Sequence, residues 1–386
     1  MLMQLTESQK QVVAMVRDFV KRDILPIAME YEHEDKYPFQ VVEKMKKLGL
    51  FGCIIPEQYG GMGLDFTTYA LVIEEICKGW MSISGILNSH LIMSYIVAQN
   101  GTEDQKRHFL PKFASGEKRG GLGLTEPDCG SDVQALKTVA VRQGDWYVIN
   151  GRKTLITNAL HGSAFALLTK TDTKASPPYK GMSCFIVEKG EPGFTVGKPF
   201  HKLGYRGLDT CEMAFDDFRC PATSLVGGRE GQGFIHVMSG MEVGRINIAA
   251  RAVGVATAAF EAAIRYAQQR QAFGMPIAQH QAIQIKLADM ATELEAARLL
   301  VYSAAQKKDA GERADLEAGM AKLFASEMCL RVSFEAMRIH GGYGYVKEYP
   351  VERYFRDAPL MIIGEGTNEI QKLVIARNLL QRYKIA

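Results

Sequence analysis

Between residues 118 and 228 the apolar residues alternate, whereas on both sides they recur every three or four positions. A period of two belongs to a half-buried strand and a period near 3.6 to an amphipathic helix. The chain therefore cannot be one bundle or one sheet and must set a β unit between two helical ones. From Thr6, an N-cap with Gln9 completing a capping box, Val12, Val13, Val16, Phe19 and Val20 repeat at helical spacing until Pro26. Further helical patterns cover 39–48 (closed by Gly49), 66–78, 84–99 and, after "GTEDQ", 102–113. The middle stretch reads "TVAVRQGDWYVINGRKTLI", with turn signals at Gln143-Gly144-Asp145 and Asn150-Gly151. It continues as "AFALLTK", "SCFIVEK", "FTVGK" and "CEMAFDDFRCP", and ends at the turn-rich "LVGGREGQG". Beyond Gly233 long helices are expected over 234–270, 279–308, 314–339 and 367–383, enough for a four-helix bundle. The reading is a mainly α fold with a central β domain: a helical domain at 1–117, a small antiparallel, barrel-like β domain at 118–230 and a bundle at 231–386.

Composition narrows the function classes. With 46 Lys+Arg against 43 Asp+Glu the net charge is only +3, and no basic run is long, so nucleic acid is a poor partner. Seven cysteines, odd in number and without CxxC pairs or clustered histidines, point to a reducing compartment, to core positions and to no metal site. No apolar stretch approaches 18 residues, and "MLMQLTESQKQ" carries neither a secretory h-region nor an Arg-rich transit pattern. The expectation is a chain without a membrane span, in the cytoplasm of a bacterium or, if processed, in a mitochondrial matrix.

Three near misses to GxGxxG occur, at Gly61 and Gly63, Gly121 and Gly123, and Gly342 and Gly344, none within a strand–helix–strand unit. This speaks against a Rossmann domain, and any nucleotide cofactor must be held otherwise. The strongest local signal is "LGLTEPDCGSD" at 122–132, where Thr125, Ser131 and the amides near Gly130 could grip a flat heterocycle or a phosphate. The same residues would also serve as a plain linking loop. "KTLITNA" at 153–159 closes a strand with Thr157 and Asn158. "RQAFGMPIAQHQAI" at 270–283 is a helix joint whose Arg270 and Gln281 could reach a phosphate and an adenine, or simply a bundle corner. "IHGGYGYVKEYPVERYFRD" at 339–357 offers a Gly-Gly pair to a pyrophosphate, or makes a tight loop with His340 in the core. Finally, "APLMIIGEGTNEIQ" places Glu365 between two glycines: either a solvated turn before a helix capped by Thr367, or a proton acceptor aimed into a pocket.

In order, spacing and setting these segments resemble one family, the acyl-CoA dehydrogenases, over essentially the whole chain. The resemblance implies FAD between the β domain and the bundle, held at Leu122, Leu124, Thr125, Gly130, Ser131, Leu155, Ile156 and Thr157. It implies that Arg270, Phe273 and Gln281 come from a neighbouring subunit of a homotetramer, and that Arg338, Gly341, Gly342, Thr367 and Glu369 complete the flavin set. Ser131, Glu242, Arg245 and Gly366 match positions facing an acyl-CoA, and Glu365 matches the catalytic base. The implied reaction is α,β-dehydrogenation of the thioester, with the Glu365 N–H and a flavin ribityl hydroxyl at the thioester oxygen and electrons passing to an electron-transferring flavoprotein. Leu155 stands where an aromatic residue commonly shields the flavin, and Arg338 where glutamine is usual. Gly244 occupies the position from which some branched-chain members offer their base, and Met81 the region of an arginine used for dicarboxylic substrates. Gly364 replaces a frequent tyrosine and makes room for a short or branched acyl chain. Two rival readings are an oxygen-using relative, an acyl-CoA oxidase or monooxygenase, and a non-catalytic assembly member, which would be expected to lose the base.

Overall fold

A computed structural model of the chain describes residues 5–385; positions 1–4 and 386 of the terminal regions lie outside it. Helix α1 (Glu7–Phe19) starts at Thr6, which accepts from the Gln9 N–H while Gln9 returns the bond, the expected capping box. Pro26 does not end the helical path. A π turn at Val20–Ile24 feeds α2 (Leu25–His33), and Pro26 falls in its first turn, where its missing N–H is not needed. Then α3 (Phe39–Lys47), α4 (Phe66–Gly79), α5 (Met81–Asn100) and α6 (Glu103–Ala114) complete the first region.

The middle region is one seven-stranded sheet of β1 (Gly120–Gly123), β2 (Val139–Gln143), β3 (Trp146–Thr157), β4 (Ala164–Lys170), β5 (Met182–Glu188), β6 (Phe194–Val196) and β7 (Thr210–Pro221). Its order is β1-β4-β2-β3-β7-β6, with β5 paired to β4. Pairing is antiparallel except where β4 meets β1 and, at one residue pair, β2. Strand β1 was not foreseen, since "GGLG" has neither alternation nor β-branched residues. Asn150-Gly151 is no turn: β3 runs through it, and a register shift against β7 falls between Ile149 and Gly151. A Cβ on Gly151 would sit 2.4 Å from Thr138 Oγ1, so close approach, not reversal, requires the glycine.

The third region holds α7 (Gly233–Gln269), a small hairpin of β8 (Gln271–Ala272) and β9 (Met275–Pro276), α8 (Gln281–Asp309), α9 (Asp315–His340), α10 (Val351–Ile363) and α11 (Asn368–Arg382). Helix α10 lies outside the helical patterns that the sequence shows. Pro359 lies inside it, and its buried Glu352, Arg353 and Asp357 interrupt the apolar period. Their partners are tertiary: Arg356 bridges Glu352 to Glu32, Arg353 donates to Gly79 O at 2.8 Å, and Asp357 accepts the Tyr205 N–H at 2.6 Å.

The first and third regions share one hydrophobic core, in which Phe19, Tyr69, Ile73 and Trp80 meet Ile246, Val253, Met328 and Met361. Helices α5 and α7 are long and apolar enough to cross a membrane, contrary to the expectation from run length, but 89% and 83% of their apolar windows are buried within the molecule. Their hydrophobicity is that of core helices. All seven cysteines are buried and unpaired.

Candidate active site

A cleft of about 1410 Å³ opens between the sheet and the helical core. From the sheet side come Leu122, Leu124, Thr125, Gly130 and Ser131, then Leu155, Ile156 and Thr157. From the helical side come Glu242, Arg245, Glu365, Gly366 and Thr367. Sequence segments far apart thus converge on one surface.

Two devices hold the sheet side. Glu126, 5% exposed, accepts from Lys153 Nζ at 2.8 Å, the Thr138 N–H at 3.0 Å and the Lys137 N–H at 2.5 Å. Burial alone would raise its pKa, but the Lys153 ammonium and these donors hold it below the usual carboxylate range. With the Thr154 N–H on Thr125 O (2.8 Å), this pair fastens the 122–132 segment to the end of β3. The second device is a register shift between Lys153 and Ile156, with Leu155 at φ +57° and 58% exposed, lining the cleft. Leucine side chains at 122, 124 and 155, hydroxyls at 125, 131 and 157, an unpartnered buried Thr210 Oγ1 and open space around Gly130 fit a flat heterocycle with a polar edge. These residues fit the flavin ring that the resemblance implies.

The loop of Glu365 is tightly constrained on the helical side. Glu365 has φ +57°, a left-handed conformation unusual for a branched-free acidic residue, and Gly366 follows at φ +82°. Lys322, fully buried on α9, donates to Ile362 O (2.9 Å), Gly366 O (3.0 Å) and Asn368 Oδ1 (2.8 Å), so one ammonium clamps both sides of the strained residue. Burial pulls the Lys322 pKa down to about 8. Thr367 caps α11 through the Ile370 N–H, as expected. Yet Glu365 is not a solvated turn. Its Oε1 accepts from Asn88 Nδ2, and its Oε2 is buried without a partner. Burial pushes the carboxyl pKa up, and Arg251, Asn88, Lys322 and Arg245 only partly offset that.

Two neighbours decide which carboxylate is free to react. A Cβ at Gly244 would lie 1.7 Å from Glu365 Oε2, so the glycine makes the space the carboxylate occupies. Glu242 is committed elsewhere, paired with Lys308 Nζ at 2.8 Å and accepting the Ala314 N–H at 2.9 Å.

The other expected flavin residues separate from this cleft. Arg270, Gly341 and Gly342 line a second cavity of about 720 Å³ with Tyr266, His340 and Tyr349. Gly341 and Gly342 therefore group with Arg270 and not with Thr367. Phe273 is 91% exposed at the hairpin tip, and Gln281 is exposed at the start of α8. Glu369 is exposed in the first turn of α11. Arg338 departs from expectation: it lies on the surface of α9, paired with Glu335 and over the Phe334 ring, and lines neither cavity. Reading the sequence missed Glu126, Lys153, Asn88, Lys322 and Arg251. Glu126 and Lys153 stood inside segments already singled out, 122–132 and 153–159.

The chain matches three family models in sequence: "Acyl-CoA dehydrogenase, N-terminal domain" over 6–117, "middle domain" over 121–218 and "C-terminal domain" over 231–380. It is 46% identical to an acyl-CoA dehydrogenase of Bacillus subtilis, over 98% of this chain and 99% of that one. Among solved structures it resembles butyryl-CoA dehydrogenase from Megasphaera elsdenii (TM-score 0.95, 39% identity, 98% of this chain and 100% of that one). It also resembles a chain solved in work on the electron transferring flavoprotein of Acidaminococcus fermentans (TM-score 0.96, 40% identity, 99% and 100%).

Proposed function

The chain belongs to the acyl-CoA dehydrogenases, flavin-dependent oxidoreductases with FAD as cofactor, and from that premise we propose that it oxidises short or branched acyl-CoA thioesters with Glu365 as the α-proton acceptor. The observation that carries this is the Glu365 carboxylate itself: held by Asn88, with one oxygen buried and unpartnered in the cleft. An α-proton of a thioester is weakly acidic, so the site must supply a base of raised pKa and donors where enolate charge develops. Burial supplies the first. For the second, the Glu365 N–H donates to no group among the described residues and is free to meet the thioester oxygen. Lys322 holds that N–H and the carboxylate in one strained loop, which keeps base and oxyanion donor in fixed relation.

Leu122 to Ser131 and Leu155 to Thr157 would hold the flavin ring, and bound FAD supplies the acceptor for the β-hydride, the product being a trans-2-enoyl-CoA. Ser131 from the sheet side and Arg245 and Gly366 from the helical side line the same cleft and would face the acyl-CoA, whereas Glu242 braces the cleft wall through Lys308 and the start of α9. Room beside the thioester comes from Gly364, whose φ of −71° needs no glycine and whose Cβ would meet only Leu360. The similarity to a butyryl-CoA dehydrogenase agrees with a short chain. Electrons would leave to an electron-transferring flavoprotein, a partner suggested by the similarity to the chain from the Acidaminococcus work.

A homotetramer is part of the reading. Arg270 and Gly341-Gly342 form a cavity apart from the main cleft, beside an exposed Phe273, and α8 and α11 leave Ile285, Leu373 and Leu380 exposed. A neighbour's copy of that cavity would then receive the adenine end of the cofactor. Anaerobic mixing of the FAD-loaded protein with short acyl-CoAs should bleach the flavin, and sedimentation should show an oligomer. A flavin bleached by no acyl-CoA, or a fully active monomer, would overturn the corresponding part.

A further inference from the structure

Lys153 and Lys322 are both fully buried, and their ammonium groups are used differently. Lys153 pairs with the Glu126 carboxylate. Lys322 on α9 donates instead to three neutral oxygens, Ile362 O at 2.9 Å, Gly366 O at 3.0 Å and Asn368 Oδ1 at 2.8 Å, one for each of its N–H bonds. These oxygens stand on both sides of Glu365 in the chain. Ile362 lies in the last turn of α10, where a carbonyl has no partner along the helix, and no other donor reaches its oxygen among the described residues. Gly366 O has a further donor in Gln371 Nε2 at 3.1 Å, and Asn368 Oδ1 has one in Ser326 Oγ at 3.2 Å. The bond to Ile362 is the one that nothing else replaces.

Between the clamped carbonyls the backbone is strained. Glu365 sits at φ +57° and Gly366 at φ +82°. Nothing local enforces that conformation. The Glu365 N–H donates to no group among the described residues, and its carbonyl meets only Gln371 Nε2 at 3.5 Å. Relaxing Glu365 to a negative φ would turn its N–H away from the cleft and draw its carboxyl out of the space beside Gly244 and Asn88.

The clamp counts protons. An ammonium has three donors and no lone pair, whereas an amine has two donors and one lone pair. Loss of the proton therefore leaves one of the three oxygens without a donor and sets a lone pair against it. Burial works against the charge and brings the Lys322 pKa down to about 8; Glu365, Glu369 on α11 and Glu327 on α9 favour the charge, and Arg245 on α7 opposes it.

We propose that Lys322 is a positioning residue for the α-proton acceptor, and that only its protonated form keeps Glu365 in the left-handed conformation in which carboxyl and backbone N–H both face the substrate. This rests on the dehydrogenase reading of the cleft and adds a second ionisation to it. Glu365 must be deprotonated to react, and Lys322 must be protonated to hold it. Burial raises the first pKa and lowers the second, so the two limbs of the rate profile close on a window between them.

The test follows anaerobic bleaching of the FAD-loaded protein from about pH 6 to about pH 9.5, at saturating butanoyl-CoA or isovaleryl-CoA, whichever bleaches faster. The dissociation constant of the thioester is read separately, from the shift of the flavin spectrum on binding. The wild-type rate should rise as Glu365 ionises and then fall by at least ~10-fold above about pH 8 as Lys322 loses its proton. Lys322→Arg, whose guanidinium keeps its charge, should abolish the alkaline fall. Lys322→Met should bleach at least ~10-fold more slowly at neutral pH, with no alkaline fall and a dissociation constant within ~3-fold of wild type. If these variants do not fold, Glu327→Gln decides. It keeps the oxygen that accepts from Asn368 Nδ2 and removes an anion near Lys322, so the alkaline limb should move to lower pH while the neutral rate stays within ~2-fold. A wild-type rate that holds level to about pH 9.5, an alkaline fall that survives in Lys322→Met, a Lys322→Met protein as fast as wild type, or an alkaline limb unmoved by Glu327→Gln would overturn the positioning role and leave the dehydrogenase reading intact. A wild-type flavin that neither thioester bleaches at any pH overturns that reading, and this proposal with it.

Discussion

Glu126 and Glu365 both lose water at the walls of one cleft, and they are treated in opposite ways. Glu126 is given an ammonium and two backbone N–H groups. Glu365 is given one amide N–H and an oxygen with no partner. The first carboxyl is held below the usual range and the second is pushed above it. A fully satisfied buried charge is a fastening, whereas a partly satisfied one keeps a lone pair available for a proton.

The contrast can be broken by experiment. Glu126→Gln would strand Lys153 and unfasten the 122–132 segment, so a loss of about 3–5 kcal/mol in unfolding free energy is expected, read by urea denaturation, with weaker FAD retention. A change below about 1 kcal/mol would mean that the pair is not the fastening described. Glu365→Gln should slow flavin bleaching by ~10²-fold or more, about 2.7 kcal/mol of barrier, with FAD still bound.

The two glutamates should also differ with pH. Because the folded state raises the Glu365 pKa, its contribution to stability is full below the unfolded value and is lost as pH rises through the folded one. Glu365→Gln should therefore gain thermal stability relative to wild type across that window, the same window in which the wild-type bleaching rate rises as the base ionises. Glu126, whose pKa is lowered, contributes stability above the unfolded value that is lost as pH falls through the folded one. A Glu365→Gln variant that loses stability at neutral pH would show the two residues to be alike.

Smaller effects sharpen the picture of the Glu365 loop. Lys322→Met leaves Ile362 O and Asn368 Oδ1 without their ammonium donor, so about 2 kcal/mol of stability should go, with kcat falling more than KM rises. Gly244→Ala would press on the movable ends of Glu365 and of Ile92, whose Cδ1 would lie 2.9 Å away, so a rate loss of roughly 10-fold is expected with little change in melting temperature. A large stability loss instead would place the strain in the helix. Least of all, Arg338→Gln removes an exposed ion pair with Glu335, and stability should move by no more than about 0.5 kcal/mol. A marked drop in FAD affinity would assign Arg338 to the adenine site of a neighbouring subunit.

Where local signals and tertiary demands agree, the sequence was legible. The capping box at Thr6, the helix start at "GTEDQ", the turn at Gly49 and the long helices of the third region all fell near their expected places. It misled where tertiary contacts override local rules. Asn150-Gly151 has the composition of a hairpin turn, yet pairing with β7 carries the strand through it. Helix α10 hid behind Pro359 and charged residues that face inward because Glu32, Gly79 and Tyr205 wait there to meet them.

By itself the sequence determined the succession of helical, β and helical regions and marked Glu365 as a carboxylate between glycines, because periodicity and caps act within a few residues. Whether Glu365 is a turn residue or a base was decided only by what folding brings to it. Asn88 arrives from α5, Gly244 and Arg251 from α7, and Lys322 from α9. The pKa of a carboxyl depends on the water and charges within a few ångströms, and those neighbours are set by chain packing across hundreds of residues, which no local pattern records.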